Sequence, residues 1–150
     1  MYIIYDGKFR AKYKAMTSTI LYKGDLRTEL THLQSGTVIE NDAPTDNKGK
    51  GERFSPTDML ASSLGSCMIT TMAIRAADMQ LNFDGTKIDI LKIMSSDAPR
   101  RVAGIKADLF FTENFTANDE QKEQLIKIAR SCPVEKSLHP DVQVDVTFHW

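Results

Sequence analysis

Polar and apolar positions alternate along the first third of the chain. "STILY" (18–22), "LRTELTH" (26–32) and "TVIEN" (37–41) carry β-branched residues in partial alternation. Turn signals separate them at Lys23-Gly24-Asp25 and at Ser35-Gly36, so three short strands are predicted. The polar stretch "DAPTDNKGKGERFSP" that follows is rich in Gly, Pro, Asn and Asp and reads as a mobile loop.

The period then changes to that of a helix. Ser55 suits an N-cap, Pro56 the first helical position, and Asp58 stands three after Ser55 as in a capping box. The helix is expected to run to about Ala77. It is apolar on nearly every side, which predicts burial on nearly every side. Ala61, Ser62, Ser63, Gly65 and Ser66 let other backbones approach closely, so this helix belongs at the centre of the fold or of a dimer.

Two further strands are predicted in "KIDILKIMSS" and "GIKADLFFT", joined by the turn "DAPRRVAG". In the second, Ile105, Ala107, Leu109 and Phe111 alternate with Lys106, Asp108 and Phe110. Asn118 or Thr116 opens a second helix, "DEQKEQLIKIARS", with Leu125, Ile128 and Ala129 on one face. A short turn or helix, "PVEKSL", precedes a last strand that alternates strictly through Val142, Val144, Val146, Phe148 and Trp150. Strands, a buried helix, strands, a helix and a strand make an α+β layout. The 150 residues carry no internal repeat, and their number suits a single domain, 1–150.

Bulk properties narrow the functional classes. A formal net charge of −1 leaves no basic footprint for nucleic acid. The apolar run Met59–Ala77 approaches bilayer-spanning length, but Ser62, Ser63, Ser66, Thr70 and Thr71 interrupt it, so no membrane insertion is expected. "MYIIYDGKFRAKYKAM" lacks the apolar core and cleavage site of a secretory signal, which points to a cytoplasmic, reducing setting.

The candidate chemistry lies in two cysteines, Cys67 and Cys132. No CxxC and no four-ligand zinc spacing is present, and a metal site from Cys67, Cys132 and His139 has no recognisable ligand pattern. His32, His139 and His149 are scattered, and spacing alone does not make any of them a catalytic base. By count, the two thiols are either buried core residues or a redox-active pair. Cys132 precedes Pro133, where one helix stops and another starts; backbone N–H groups there favour a thiolate. Cys67 is mid-helix and needs a cation from elsewhere; Arg27 and Arg53 are the candidates, with Arg10 behind them. Glu52, in the loop, is placed to orient an arginine or act on a thiol proton.

Together the two cysteine segments carry a resemblance. "SPTDMLASSLGSC", followed at a distance by "CPVEKSL", resembles the OsmC/Ohr family. The likeness extends to "LRTELTH…SG…DAPTDNKGKGERFSP" and to "DAPRRVAGI", so it covers the chain from about Gly24 to its end. The resemblance implies a two-layer α+β fold, with antiparallel sheets around a buried central cysteine helix in an intertwined homodimer. It also implies a thiol-dependent peroxidase, free of metal or other cofactor, acting on organic hydroperoxides. Cys67 is then the peroxidatic cysteine and Cys132 the resolving one. An external dithiol returns their disulfide to thiols, and an arginine, nearest to Arg27, holds the thiolate. The alternative on the same fold is a non-catalytic protein that binds a small lipophilic or thiol-bearing ligand near Cys67. The sequence departs from the Ohr-type pattern at Thr57, where those peroxidases carry a glutamate; the acid here is Asp58, one step later. One step turns a helical side chain by about 100°, which leaves Glu52 or Asp58 to replace the missing partner.

Overall fold

A computed structural model describes residues 16–150; Arg10 therefore lies outside the described residues. The chain divides into two compact units, Met1–Pro56 and Thr57–Trp150.

In the first unit, β1 (Ser18–Gly24), β2 (Arg27–His32) and β3 (Val38–Asp42) form an antiparallel meander in that order. The β1–β2 turn falls on Asp25 and Leu26, whose φ angles are +50° and +60°. Two left-handed residues between paired strands match the right-handed twist of a hairpin. The strained Leu26 is tied down by its N–H, which donates to Tyr22 Oη at 3.2 Å. The register of the next pair sets Arg27 directly across from Asp42, and Glu29 across from Glu40.

In the second unit, β4 (Lys87–Met94), β5 (Val102–Phe110) and β6 (Gln143–His149) form a sheet in that order. β4 runs antiparallel to β5, as expected, but β6 runs parallel to it. The chain leaves β5, passes through α2 (Asp119–Ala129) and α3 (Pro133–Ser137), and returns in the same direction. Such a crossover is what parallel pairing requires. Asn118, rather than Thr116, opens α2 with a full capping box: its side chain accepts the Gln121 N–H, and Gln121 Oε1 accepts its own N–H.

The core lies in this second unit. Leu64, Met68 and Met72 of α1 (Pro56–Arg75) meet Ile105, Ala107 and Leu109 of β5 and Leu125 and Ala129 of α2, with Cys132 buried among them. Gly65 brings α1 down on β4; a Cβ there would stand 2.9 Å from Ile90 Cδ1. The expectation that α1 is buried on nearly every side does not hold within the chain. Ala61, Leu64, Gly65, Met68, Thr71 and Met72 make one buried stripe at helical spacing, while Leu60 and Ile74 remain 41% and 75% exposed. No helix among the described residues is long and apolar enough to cross a membrane.

Candidate functional site

The four candidate side chains fall into two groups, one in each unit. In the first, Arg27 meets Glu52 and a residue that the sequence did not single out, Asp42. Arg27 donates through Nε to Asp42 Oδ1 at 2.6 Å and through Nη2 to Asp42 Oδ2 at 2.8 Å. Nη2 also reaches Glu52 Oε2 at 2.7 Å. Asp42 is buried, and its Oδ2 accepts the Glu52 backbone N–H at 3.1 Å as well. The Arg27 guanidinium holds the Asp42 carboxyl below its ordinary range, and the two acids hold Arg27 more firmly protonated than a free arginine. Two parallel N–H···O bonds fix the plane of the guanidinium, not only its charge.

The loop that supplies Glu52 is built rather than loose. Gly49 lies so close under Ala43 that an added Cβ would sit 1.6 Å from the Ala43 carbonyl oxygen. The Phe54 carbonyl accepts from the Asn41 side chain at 2.9 Å and from the Asp42 N–H at 3.3 Å. Lys50 pairs with Asp25 at 3.1 Å. Arg53, the second arginine candidate, pairs with Glu40 at 3.1 Å. Asp58 turns elsewhere: its Oδ1 is 2.6 Å from Lys92 Nζ, which also donates to Thr57 Oγ1 at 2.9 Å. The acids that hold Arg27 are thus Asp42 and Glu52.

In the second unit the two cysteines come together, both as free thiols. Cys67 is half-buried on α1, and its Sγ lies 3.9 Å from the hydroxyl of Thr71 one turn on. Cys132 is fully buried and caps α3, with Pro133 next and the Glu135 N–H donating to its Sγ at 3.5 Å. A capping sulfur was expected to ionise readily. Burial outweighs the cap: it pushes the Cys132 thiol up, against the pull of the Glu135 N–H. The charge of Cys67, a hydrogen bond with its side chain and the charge of Glu135 push the same way, which makes the two sulfurs direct neighbours.

Near Cys132 the structure adds four side chains that the sequence did not mark. Arg75, at the end of α1, donates to Ser131 Oγ at 2.8 Å. Arg130 pairs with Glu135 at 3.2 Å. The one available signal was the spacing Arg130–Cys132–Glu135 around a helix start, which says nothing about burial. Among the described residues no three His, Cys, Asp or Glu side chains cluster as metal ligands.

A family model described as OsmC-like protein matches residues 49–147, a span that holds both cysteines and Glu52. The chain belongs to the OsmC-like family. This OsmC-like chain is 45% identical to a Psychrobacter arcticus 273-4 protein assigned to osmotic stress and the detoxification response. That match covers 90% of this chain and 96% of the other, with a TM-score of 0.84. The organic hydroperoxide resistance protein OsmC of Legionella pneumophila shares its fold at 14% identity, with a TM-score of 0.70 over 90% of this chain and 98% of that one. OhrB of Bacillus subtilis, also an organic hydroperoxide resistance protein, does so at 14% identity, with a TM-score of 0.62 over 89% and 98%. Among curated proteins no sequence matches the chain.

Proposed function

We propose that this OsmC-like protein is a cysteine-based peroxidase that reduces organic hydroperoxides. The observation that carries the reading is the pair of free, adjacent thiols, one half-buried at Cys67 and one fully buried at Cys132. An accessible sulfur meets the substrate, and a sheltered one waits beside it. The hydroperoxide resistance proteins that share the fold agree with this assignment.

The chemistry balances in two steps before reduction. The Cys67 thiolate attacks one peroxide oxygen; the O–O bond breaks, the alcohol leaves with a proton, and Cys67 becomes a sulfenic acid. The Cys132 sulfur then attacks the Cys67 sulfur. The S–O bond breaks, water leaves with the thiol proton, and a disulfide forms. An external dithiol reduces the disulfide and restores both thiols. Arg27 is assigned as the cation that steadies the thiolate and the developing charge on the leaving oxygen, with Glu52 and Asp42 fixing its plane. The working form is a cytoplasmic homodimer. The apolar Ile20, Tyr22 and Ile39 share one exposed face of the β1–β3 sheet, which suits coverage by a second copy.

The test is to add one equivalent of an organic hydroperoxide, or of hydrogen peroxide, to the reduced protein and to follow thiol loss and intact mass. Fast loss of both thiols with a two-hydrogen mass decrease, quicker for the organic peroxide, is expected. Cys67→Ser abolishes the reaction, and Cys132→Ser stops at sulfenic acid after one turnover. Reaction no faster than that of a free cysteine overturns the reading in favour of a ligand-binding protein.

A further inference from the structure

Thr70 and Thr71 are neighbours on α1 and use their hydroxyls differently. Thr70 is exposed and donates to the Ser66 carbonyl at 2.8 Å, with the Cys67 carbonyl at 3.2 Å. Ser63 does the same with the Leu60 carbonyl at 2.7 Å, and Ser137 of α3 with the Pro133 carbonyl at 2.9 Å. Such back-bonding to the preceding turn is the ordinary use of a hydroxyl inside a helix. Thr71 is only 9% exposed. Among the described residues its hydroxyl turns to no carbonyl; its partner is Cys67 Sγ, at 3.9 Å. A buried hydroxyl that gives up a carbonyl for a sulfur loses the stronger acceptor. Its facing therefore calls for a role.

The helix geometry puts the two groups in line. Helical side chains lean toward the N-terminus, so a residue leans over the one four positions before it. Thr71 stands one turn after Cys67, and its β-branched side chain has few rotamers to choose from. The titratable neighbour of Cys67 is Cys132, at the head of α3. Between the neutral thiol and the hydroxyl, either atom can donate. Once Cys67 ionises, its sulfur can only accept, and the hydroxyl has to be the donor. A bond to an ionised acceptor is shorter and roughly twice as strong as a neutral one. The 3.9 Å contact of the thiol form therefore closes in the thiolate.

We propose that Thr71 is a further catalytic residue, its hydroxyl donating to the Cys67 thiolate that attacks the hydroperoxide. This deepens the peroxidase reading and rests on it for the substrate. The bond does two things. It favours the ionised sulfur over the thiol, which raises the thiolate fraction at neutral pH. It also fixes the direction of the sulfur along α1, so that a remaining lone pair is held for the peroxide oxygen. The Thr71 proton stays on its oxygen throughout, and the balance of the peroxide step is unchanged. Only the acceptor changes, from thiol to thiolate to sulfenic acid.

The experiment starts from an electrophile that is not a peroxide. The rate of Cys67 alkylation by iodoacetamide is followed against pH in Cys132→Ser protein. Adding Thr71→Val keeps the shape and removes the hydroxyl. It moves the profile up by roughly one pH unit, the scale of one hydrogen bond to a charged group. Sulfenic acid formation with an organic hydroperoxide slows in step, by about tenfold at neutral pH. Adding Thr71→Ser instead leaves the profile near that of the background protein. Thr70→Val, the same change at a back-bonded hydroxyl one residue before, leaves it in place. An unmoved profile in Thr71→Val overturns the proposal. So does an equal shift in Thr71→Ser, which would assign the effect to packing. If Thr71→Val fails to fold, Thr71→Ala against Thr71→Ser makes the same comparison. A hydroxyl-dependent profile in a protein no more reactive with peroxide than a free cysteine would instead overturn the peroxidase reading.

Discussion

Arg27 and Asp42 face one another across β2 and β3, and their side chains close a two-point ion pair at 2.6 and 2.8 Å. The pair joins a strand that begins at Arg27 to the last residue of its neighbour, and the Glu52 loop hangs from it. Because Arg27 holds the Asp42 carboxyl below its ordinary range, folding favours the ionised acid. The folded pKa is the depressed one, so the stabilisation is complete above the unfolded value of about 3.9 and is lost as pH falls through the folded value. Asp42→Asn keeps the shape and removes the charge. It should unfold at lower urea at neutral pH and show a shallower acid decline below about pH 4 than the parent. Parallel urea-midpoint curves for the two proteins would refute this.

Gly49 is set by contact with backbone, not by a turn. A Cβ there meets the Ala43 carbonyl at 1.6 Å, and no rotamer change relieves a clash with main chain. Gly49→Ala should cost about 1–3 kcal/mol of unfolding free energy, as overpacking does. It should also weaken the hold of Glu52 on Arg27. Gly36, at φ +72° with open space around it, is the comparison: Gly36→Ala costs only the strain of a left-handed side chain, about 1 kcal/mol. Equal losses in urea unfolding would show that the loop is not pinned at Ala43.

The role proposed for Arg27 divides into a geometric part and a charge part. Within the proposed function, Arg27→Ala should slow sulfenic acid formation by about a hundredfold, the usual effect of removing one preorganised donor from a developing charge. Arg27→Lys keeps the charge but cannot reproduce the two parallel hydrogen bonds to Asp42, so it should recover little of the rate. Stopped-flow thiol loss measures both. Full rescue by lysine would reduce the role of Arg27 to a point charge.

What could be read from the sequence was periodic or local. The alternation marked every strand, the Ser55-Pro56 start marked α1, and Asn118 or Thr116 marked the head of α2. What could not be read depended on pairing. Asp42 lies one residue beyond "TVIEN", and only the β2–β3 register makes it the partner of Arg27. Lys92 breaks the inward series Ile88, Ile90, Met94 of β4, and its bonds to Asp58 and Thr57 account for a charge there. The one-sided burial of α1 was hidden because its exposed residues are also apolar, as Ile74 shows. The parallel course of β6 was hidden because alternation carries no strand direction. At Cys132, the cap was legible but the burial that opposes it was not.

Asn118 tests how much the α2 cap contributes. Its Oδ1 accepts the Gln121 N–H at 2.8 Å, and Gln121 answers at 2.9 Å. Asn118→Ala should lower the unfolding free energy by about 1 kcal/mol, and Asn118→Asp or Asn118→Ser should recover most of it. An alanine variant with the parent's urea midpoint would mean that packing of Leu125 and Ala129 alone holds the helix.

Cys132 ties the stability of the core to alkaline pH. Burial raises its thiol, and the charges of Cys67 and Glu135 add to that rise against the pull of the Glu135 N–H. The folded pKa therefore lies above the unfolded one. The neutral thiol's contribution is complete below about pH 8.5, the ordinary cysteine value, and is lost as pH rises from there through the folded value. The reduced parent protein should thus lose stability steadily above about pH 8.5. Cys132→Ser is expected to cost about 1–3 kcal/mol at neutral pH, because a buried hydroxyl takes the place of a thiol. In exchange it should flatten the alkaline decline, since serine does not titrate there. Urea midpoints across the alkaline range, measured under reducing conditions, compare the two slopes. A decline of equal steepness in both proteins would assign the alkaline sensitivity to other groups.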